Sequence, residues 1–223
     1  MTPKTKEEFA KYIDSTLLRA DATENDIRVL CKDAIKYNFA AVCVNPCNIE
    51  LCKNLLQNSK ISIATVVGFP LGANISNVKF YEAGMALLAG ASELDMVINI
   101  GKLKEKNYSF VEKEISEIVR LSSEAKALVK IIIETALLTE AEKIEACKIV
   151  SNSGGHFIKT STGFAKMGAT IEDIELMRKY CDPKVKIKAS GGIKTVDFAL
   201  KLIEAGAERI GTSSGVELIT NFA

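Results

Sequence analysis

The chain has a single histidine and no Cys-x-x-Cys pair in 223 residues, so the ligand clusters of a structural zinc site are missing. Its six cysteines, Cys31, Cys43, Cys47, Cys52, Cys147 and Cys181, are expected to be free thiols in a reducing cytoplasm, with no metal and no cofactor. No histidine lies near any of them in sequence to activate a thiolate. There is no run of 18 apolar residues, which excludes a membrane-spanning helix, and the polar start Met-Thr-Pro-Lys-Thr-Lys-Glu-Glu lacks the apolar stretch of a signal peptide. Charge of either sign is not in excess. The 29 basic and 28 acidic residues leave +1, without a global pull toward nucleic acid or membrane. No linker or composition break divides the chain, and no Gly-x-Gly-x-x-Gly follows the first strand-like segment, which counts against a dinucleotide fold.

What is present is one unit used repeatedly. A short N-terminal helix near 5–10 precedes a strand at 12–18. Thr23, with Asp26 three residues on, opens a helix whose apolar Ile27, Leu30, Ala34 and Ile35 recur at helical spacing. Strands are then expected at 40–45, 61–68, 93–98 and 128–134, around Lys159 within 155–163, around Lys188 within 185–192, and at 208–212, with helices between them. The helix at 75–89 is expected to turn Val78, Tyr81, Met85 and Leu88 to one apolar face, and Thr139 and Glu142 have capping-box spacing at the start of another. Glycines end three helices about three residues before the next strand, as αβ turns require. Strands that are short, nearly continuous apolar runs fit a parallel sheet covered by helices on both faces. Eight such units predict a closed (β/α)8 barrel, the TIM-barrel architecture, as a single domain over residues 1–223; an open doubly wound sheet is the rival.

Two of these strands carry lysines where apolar residues belong. Gly155-His-Phe-Ile-Lys-Thr-Ser-Thr-Gly163 places Lys159 before a small-polar turn, and Val185-Lys-Ile-Lys-Ala-Ser-Gly-Gly192 does the same with Lys188. A lone strand lysine is ordinarily an edge or snorkelling residue, because an unpaired ammonium is costly to bury. The repetition before two Ser/Gly turns argues instead for chemistry. Strand alternation groups Asp95 with Val97 and Asn99, Lys159 with Phe157 and Ser161, and Lys188 with Lys186 and Ser190. Asp14, Thr16, Lys130 and Glu134 are further polar groups whose orientation the alternation leaves open. If Asp95, Lys159 and Lys188 all point inward, their charges must compensate one another.

A lysine attacks a carbonyl only as the neutral amine, scarce at neutral pH for a group of ordinary pKa near 10.4. A neighbouring ammonium and partial desolvation both lower that value. One lysine would then form a Schiff base, the other would hold its pKa down, and Asp95 would move protons. The residue pattern leaves open which lysine is the nucleophile. The glycine-rich turns add a second expectation. Gly191-Gly192 and the stretch Gly211 to Gly215, with Ser213 and Ser214, follow the seventh and eighth strands, where barrels of this kind commonly bind phosphate. Lys194 either adds charge there or is a solvated helix-start lysine.

Phe-Ile-Lys-Thr-Ser-Thr-Gly-Phe, Lys-Ala-Ser-Gly-Gly-Ile-Lys, Gly-Phe-Pro-Leu-Gly-Ala-Asn, Glu-Leu-Asp-Met-Val-Ile-Asn and Arg-Ile-Gly-Thr-Ser-Ser-Gly occur in order from about Tyr12 to Gly215. In these motifs the chain resembles the deoxyribose-phosphate aldolase family. The resemblance implies metal-independent, reversible cleavage of 2-deoxy-D-ribose 5-phosphate to D-glyceraldehyde 3-phosphate and acetaldehyde, in deoxynucleoside catabolism. It implies Lys159 as the Schiff-base lysine, Lys188 as the group that lowers its pKa and Asp95 as the proton-transfer group. Gly163, Gly191, Gly192, Gly211, Ser213 and Ser214 are then the substrate- and phosphate-binding residues. A phosphosugar substrate, no nucleic-acid or membrane partner, and a homodimer or homotetramer complete the expectation. Three positions depart from the family pattern: Ser15 where a histidine is common, Ala165-Lys166-Met167-Gly168 where a glycine-rich turn is common, and His156 where an aspartate is frequent and a strand-start turn role is expected. Two other functions fit a barrel of this composition. One is a phosphosugar isomerase, which needs a carboxylate base and no inward lysine pair. The other is a phospholigand-binding barrel that uses the lysines as clamps.

Overall fold

The computed structural model describes residues 2–222. After helix α1 (Lys6–Ala10), strands β1 (Ile13–Leu17), β2 (Ala41–Val44), β3 (Ser62–Val67), β4 (Glu93–Val97), β5 (Leu128–Ile132), β6 (Phe157–Lys159), β7 (Lys186–Ser190) and β8 (Arg209–Thr212) follow in order. Every neighbouring pair is parallel, and β8 pairs back onto β1, so the sheet is a closed barrel in sequence order. The helices α2 (Glu24–Tyr37), α3 (Ile49–Leu56), α4 (Ser76–Ala89), α5 (Ile100–Lys104), α6 (Tyr108–Glu124), α7 (Glu140–Asn152), α8 (Ile171–Tyr180), α9 (Val196–Glu204) and α10 (Gly215–Asn221) surround it. The expected (β/α)8 architecture is the one present. The open sheet is excluded by the β1–β8 register, Asp14 against Gly211. No helix among the described residues is long and apolar enough to cross a membrane.

Local chemistry sets the element ends. Thr23 and Asp26 form a reciprocal capping box at α2, as do Thr139 and Glu142 at α7, each satisfying two otherwise orphaned N–H groups. Gly90 ends α4 with φ +114°, a left-handed conformation that glycine adopts without a Cβ clash. His156 has the expected strand-start role, since its Nδ1 accepts the Val129 N–H at 3.0 Å just before β6.

Strand alternation sorts side chains into two layers. Val42, Val44, Ile63, Leu94, Met96, Val129, Ile131, Ile158, Ile187 and Ile210 point outward and are buried under the helices. Inside the barrel a small apolar cluster of Ala41, Cys43, Ala64 and Val66 fills the β2–β3 side, with Leu18 and Phe69 above it. From β4 round to β1 the interior carries a cluster of charged side chains. α1 and the end of the chain meet through Phe9 and Phe222, whose rings stack at 4.8 Å.

At α4 the expected shared face of Val78, Tyr81, Met85 and Leu88 is present, but it lies in solvent; Tyr81 is 70% and Leu88 79% exposed. The face turned inward carries Lys79, Ala83 and Ala86. Lys79 is fully buried, donating to Glu114 Oε2 of α6 at 2.8 Å and to the Val97 carbonyl at 2.9 Å. Small alanines let α4 approach the barrel closely, and the ion pair satisfies a buried charge that hydropathy alone would send outside. Helix α5 was not anticipated; it is short, and a segment of little more than one turn leaves too few repeats for periodicity to show.

Candidate active site

Seven ionisable side chains point into the barrel: Asp14 from β1, Glu93 and Asp95 from β4, Lys130 from β5, Lys159 from β6, Lys188 from β7 and Arg209 from β8. Their register brings them together. Asp95 is the Cα partner of Lys130, Lys159 of Lys188, and Lys188 of Arg209, so inward neighbours sit side by side around the wall. Lys159 Nζ lies 2.7 Å and Lys188 Nζ 2.8 Å from the same atom, Asp95 Oδ2. Lys130 takes the other oxygen, Asp95 Oδ1, at 2.8 Å, and also reaches Glu93 at 2.5 Å. Lys188 continues to Asp14 Oδ2 at 2.5 Å, and Arg209 joins Asp14 Oδ1 at 2.5 Å to Glu93 Oε2 at 2.9 Å.

The charge count of this cluster decides its chemistry. Four cations, Lys130, Lys159, Lys188 and Arg209, face three carboxylates, Asp14, Glu93 and Asp95, so full ionisation leaves one positive charge surplus in a dry interior. Surplus buried charge is relieved by neutralising the cheapest member. Lys159 is that member. Burial pushes its pKa below the ordinary lysine value, with Lys188 adding to the effect and Asp95 only partly opposing it. Lys188 is equally buried, yet the carboxylates of Asp14 and Asp95 overcome the burial and hold its pKa above the ordinary value. Burial favours neutral Asp95, but Lys130, Lys159 and Lys188 outweigh it and keep this carboxyl well below the usual range. The Cys43 thiol, buried beside them, is pushed up, first by burial.

A cavity of about 430 Å³ opens above the cluster at the carboxyl ends of the strands. Lys159 lines it; Lys188 and Asp95 lie beneath, behind Lys159. Gly163, Gly191, Gly192, Gly211 and Ser213 line it too, with Lys194 exposed at the rim. Ser214 does not. It sits at the start of α10, and its N–H donates to Thr212 Oγ1 at 2.9 Å. The N–H groups of Gly163, Gly191, Gly192 and Ser213 have no protein acceptor among the described residues. Gly191 adopts φ +89°, and a Cβ on Gly168 would fall 2.0 Å from the Gly191 carbonyl oxygen, so the loops after β6 and β7 touch backbone to backbone. Gly211 makes room of another kind, since a Cβ there would crowd Lys188 Cε at 3.0 Å. Lys166 faces a second, more apolar cavity of about 590 Å³ beside the first.

The structure therefore assembles the three residues expected to react and five of the six expected around the phosphate. Sequence reasoning left Asp14 and Lys130 unoriented and did not single out Glu93 or Arg209. The signal was available: Glu93 shares strand parity with Asp95, and Lys130 lies opposite Asp95 once the barrel is closed in order. Ser15, on the other parity of β1, is buried and points away from the interior.

Residues 9–219 match the DeoC/LacD family aldolase. The chain is 55% identical to the deoxyribose-phosphate aldolase of Caldicellulosiruptor saccharolyticus, over 97% of this chain and 99% of that one. It is 53% identical to that of Thermococcus kodakarensis, over 96% of each. The solved tetrameric deoxyribose phosphate aldolase of Aeropyrum pernix superposes with a TM-score of 0.93 at 33% identity, covering 99% of this chain and 93% of that one. A closed barrel with a buried lysine pair, matched over almost its whole length by these relatives, belongs to the DeoC/LacD family of aldolases.

Proposed function

We propose that this chain is a class I aldolase that reversibly cleaves 2-deoxy-D-ribose 5-phosphate to D-glyceraldehyde 3-phosphate and acetaldehyde, the whole barrel acting as one catalytic domain. The observation that carries the reading is the division between the two lysines: Lys159 lines the cavity with a lowered pKa, and Lys188 stays charged behind it. The neutral Lys159 amine attacks C1 of the open-chain sugar, and loss of water from the carbinolamine gives the iminium ion. Withdrawal of electrons into the iminium breaks C2–C3 as the C3 hydroxyl gives up its proton, releasing glyceraldehyde 3-phosphate and leaving an enamine. Protonation of the enamine carbon and hydrolysis then release acetaldehyde and restore the amine.

Asp95 is assigned the proton transfers. Asp95 Oδ2 accepts from both lysines, so it can take a proton from Lys159 and return it later in the cycle while Lys188 stays charged beside it. A carboxylate held so far below the usual range passes protons on rather than keeping them. The phosphate is assigned to the N–H groups of Gly163, Gly191, Gly192 and Ser213, with Lys194 adding charge at the rim. The buried Lys159 and Lys188, both turned into the barrel, disfavour the isomerase reading, which needs no inward lysine pair. Free thiols at all six cysteines support a reducing cytoplasm.

The exposed ridge of Ile75, Val78, Tyr81, Met85 and Leu88 along α4 supports self-association as a homodimer or homotetramer, because a monomer rarely leaves such a stripe in water. Borohydride reduction in the presence of acetaldehyde tests the chemistry. The expected product is a stable adduct mapped to the peptide containing Lys159. No adduct, or one on Lys188, would overturn the assignment.

A further inference from the structure

We propose that Glu134 is a positioning residue for phosphate recognition: its carboxylate holds the turn after Lys159 so that the Gly163 N–H stays aimed into the substrate cavity. The proposal rests on the aldolase reading and goes beyond it. Glu134 is buried to 3% exposure two residues after the end of β5, at a left-handed backbone position (φ +52°, ψ +69°). A non-glycine residue there carries strain, and no cation lies within ion-pair distance of its carboxylate among the described residues. One oxygen, Oε1, has no hydrogen-bond partner in the protein. Two unfavourable features at one buried residue call for a compensating role.

The other oxygen supplies it. Glu134 Oε2 accepts from Thr162 twice, from its N–H at 3.2 Å and from its hydroxyl. The residues between Lys159 and Gly163 are clamped in two directions. Thr160 and Ser161 are tied to β7: the Thr160 N–H donates to the Lys188 carbonyl at 3.1 Å, and the Ser161 carbonyl accepts from Ser190 Oγ at 2.5 Å. Thr162 is tied to the β5 side, through Glu134. Its hydroxyl then accepts the Phe164 N–H at 3.1 Å, which leaves Gly163 between two anchored neighbours. The Thr162 N–H is occupied by Glu134 and is unavailable to a phosphate, whereas the N–H of Gly163, which also lines the cavity, has no protein acceptor among the described residues. The carboxylate is a stronger acceptor for this clamp than a neutral group of the same shape.

The test separates this role from general structural support. Glu134→Gly removes the carboxylate while keeping the left-handed backbone free of strain, and Glu134→Gln keeps an acceptor without the charge. For Glu134→Gly, the KM for deoxyribose 5-phosphate is expected to rise about tenfold, the factor for one hydrogen bond to a charged group. The rate of borohydride trapping with acetaldehyde, which carries no phosphate, is expected to stay at the parent value. Glu134→Gln should recover part of the lost KM. Thr162→Ala, which removes the hydroxyl from the other end of the contact, should give the same signature and serves if the Glu134 variants fold poorly. An unchanged KM in Glu134→Gly or Thr162→Ala, or a loss shared equally by acetaldehyde trapping, would overturn the proposal. Absence of trapping in the parent protein would instead strike the aldolase reading beneath it.

Discussion

Lys159 and Lys188 meet on a single oxygen: both ammonium nitrogens lie within 2.8 Å of Asp95 Oδ2, and their Cα atoms are register partners across β6 and β7. Two like charges held that closely cannot share one carboxylate oxygen on equal terms. Asp14 breaks the symmetry, because it adds a second carboxylate to Lys188 and none to Lys159.

The pH dependence of imine formation follows from that asymmetry. Lys159 titrates below the ordinary lysine value, so borohydride trapping with acetaldehyde should level off at a pH below 10.4. In Lys188→Leu one cation is lost next to Lys159, while Asp95 loses a partner and pulls harder on the proton that remains. Both effects favour the charged amine, so the Lys159 pKa rises. The less polar leucine opposes this by desolvation, without reversing it. Trapping in Lys188→Leu should be slower at neutral pH and recover as the pH is raised, whereas Lys159→Leu should give none at any pH. A rate profile that shifts toward lower pH in Lys188→Leu would contradict the electrostatic account.

Ser213 lines the cavity and its N–H is unengaged, so a carboxylate placed there should repel the phosphate directly. At an effective dielectric near 20, two unit charges about 4 Å apart repel by roughly 4 kcal/mol, and solvent at the cavity mouth reduces this. Ser213→Glu is expected to raise the KM for deoxyribose 5-phosphate by about 10- to 100-fold. The KM for unphosphorylated deoxyribose should change little. Equal losses for the two sugars would place the phosphate elsewhere.

The buried Lys79–Glu114 pair is expected to matter for stability more when broken than when replaced. Lys79→Met leaves Glu114 charged and buried, at a cost of about 3–5 kcal/mol, or roughly 10 °C in Tm for a chain of this size. The double variant Lys79→Met/Glu114→Leu should recover most of that loss. Thermal unfolding of the two single variants and the double variant checks the coupling, and additive losses would argue against it.

On the α4 ridge, Tyr81→Glu together with Leu88→Glu is expected to shift the protein toward monomer in sedimentation velocity. Acetaldehyde trapping per chain should be unaffected, since neither side chain lines the cavity above Lys159. A parent protein that is already monomeric at micromolar concentration would remove the basis for self-association.

The amino-acid sequence by itself determined the eight-fold alternation, the capping boxes at Thr23 and Thr139, the glycine helix ends and the two strand lysines. Each depends on contacts within a few residues, where periodicity, side-chain caps and left-handed turns act directly. It also marked Asp95, Lys159 and Lys188, because charge inside an apolar strand is costly enough to stand out. Only the tertiary structure decided what surrounds them. Glu93, Lys130 and Arg209 join the cluster because barrel closure sets a register that no single strand encodes. The geometry that favours Lys159 over Lys188 as the amine depends on Asp14, 174 residues distant from Lys188. At α4 the local pattern grouped the apolar residues but left their direction open: hydrophobic periodicity reports how apolar a face is, not which face meets the barrel. There the small alanines and the Lys79–Glu114 pair gave the closer packing and left the larger apolar residues in water. Glu134 stood in the sequence only as a polar group of open orientation, since a left-handed carboxylate bonded to a turn 28 residues away is a product of the closed barrel alone.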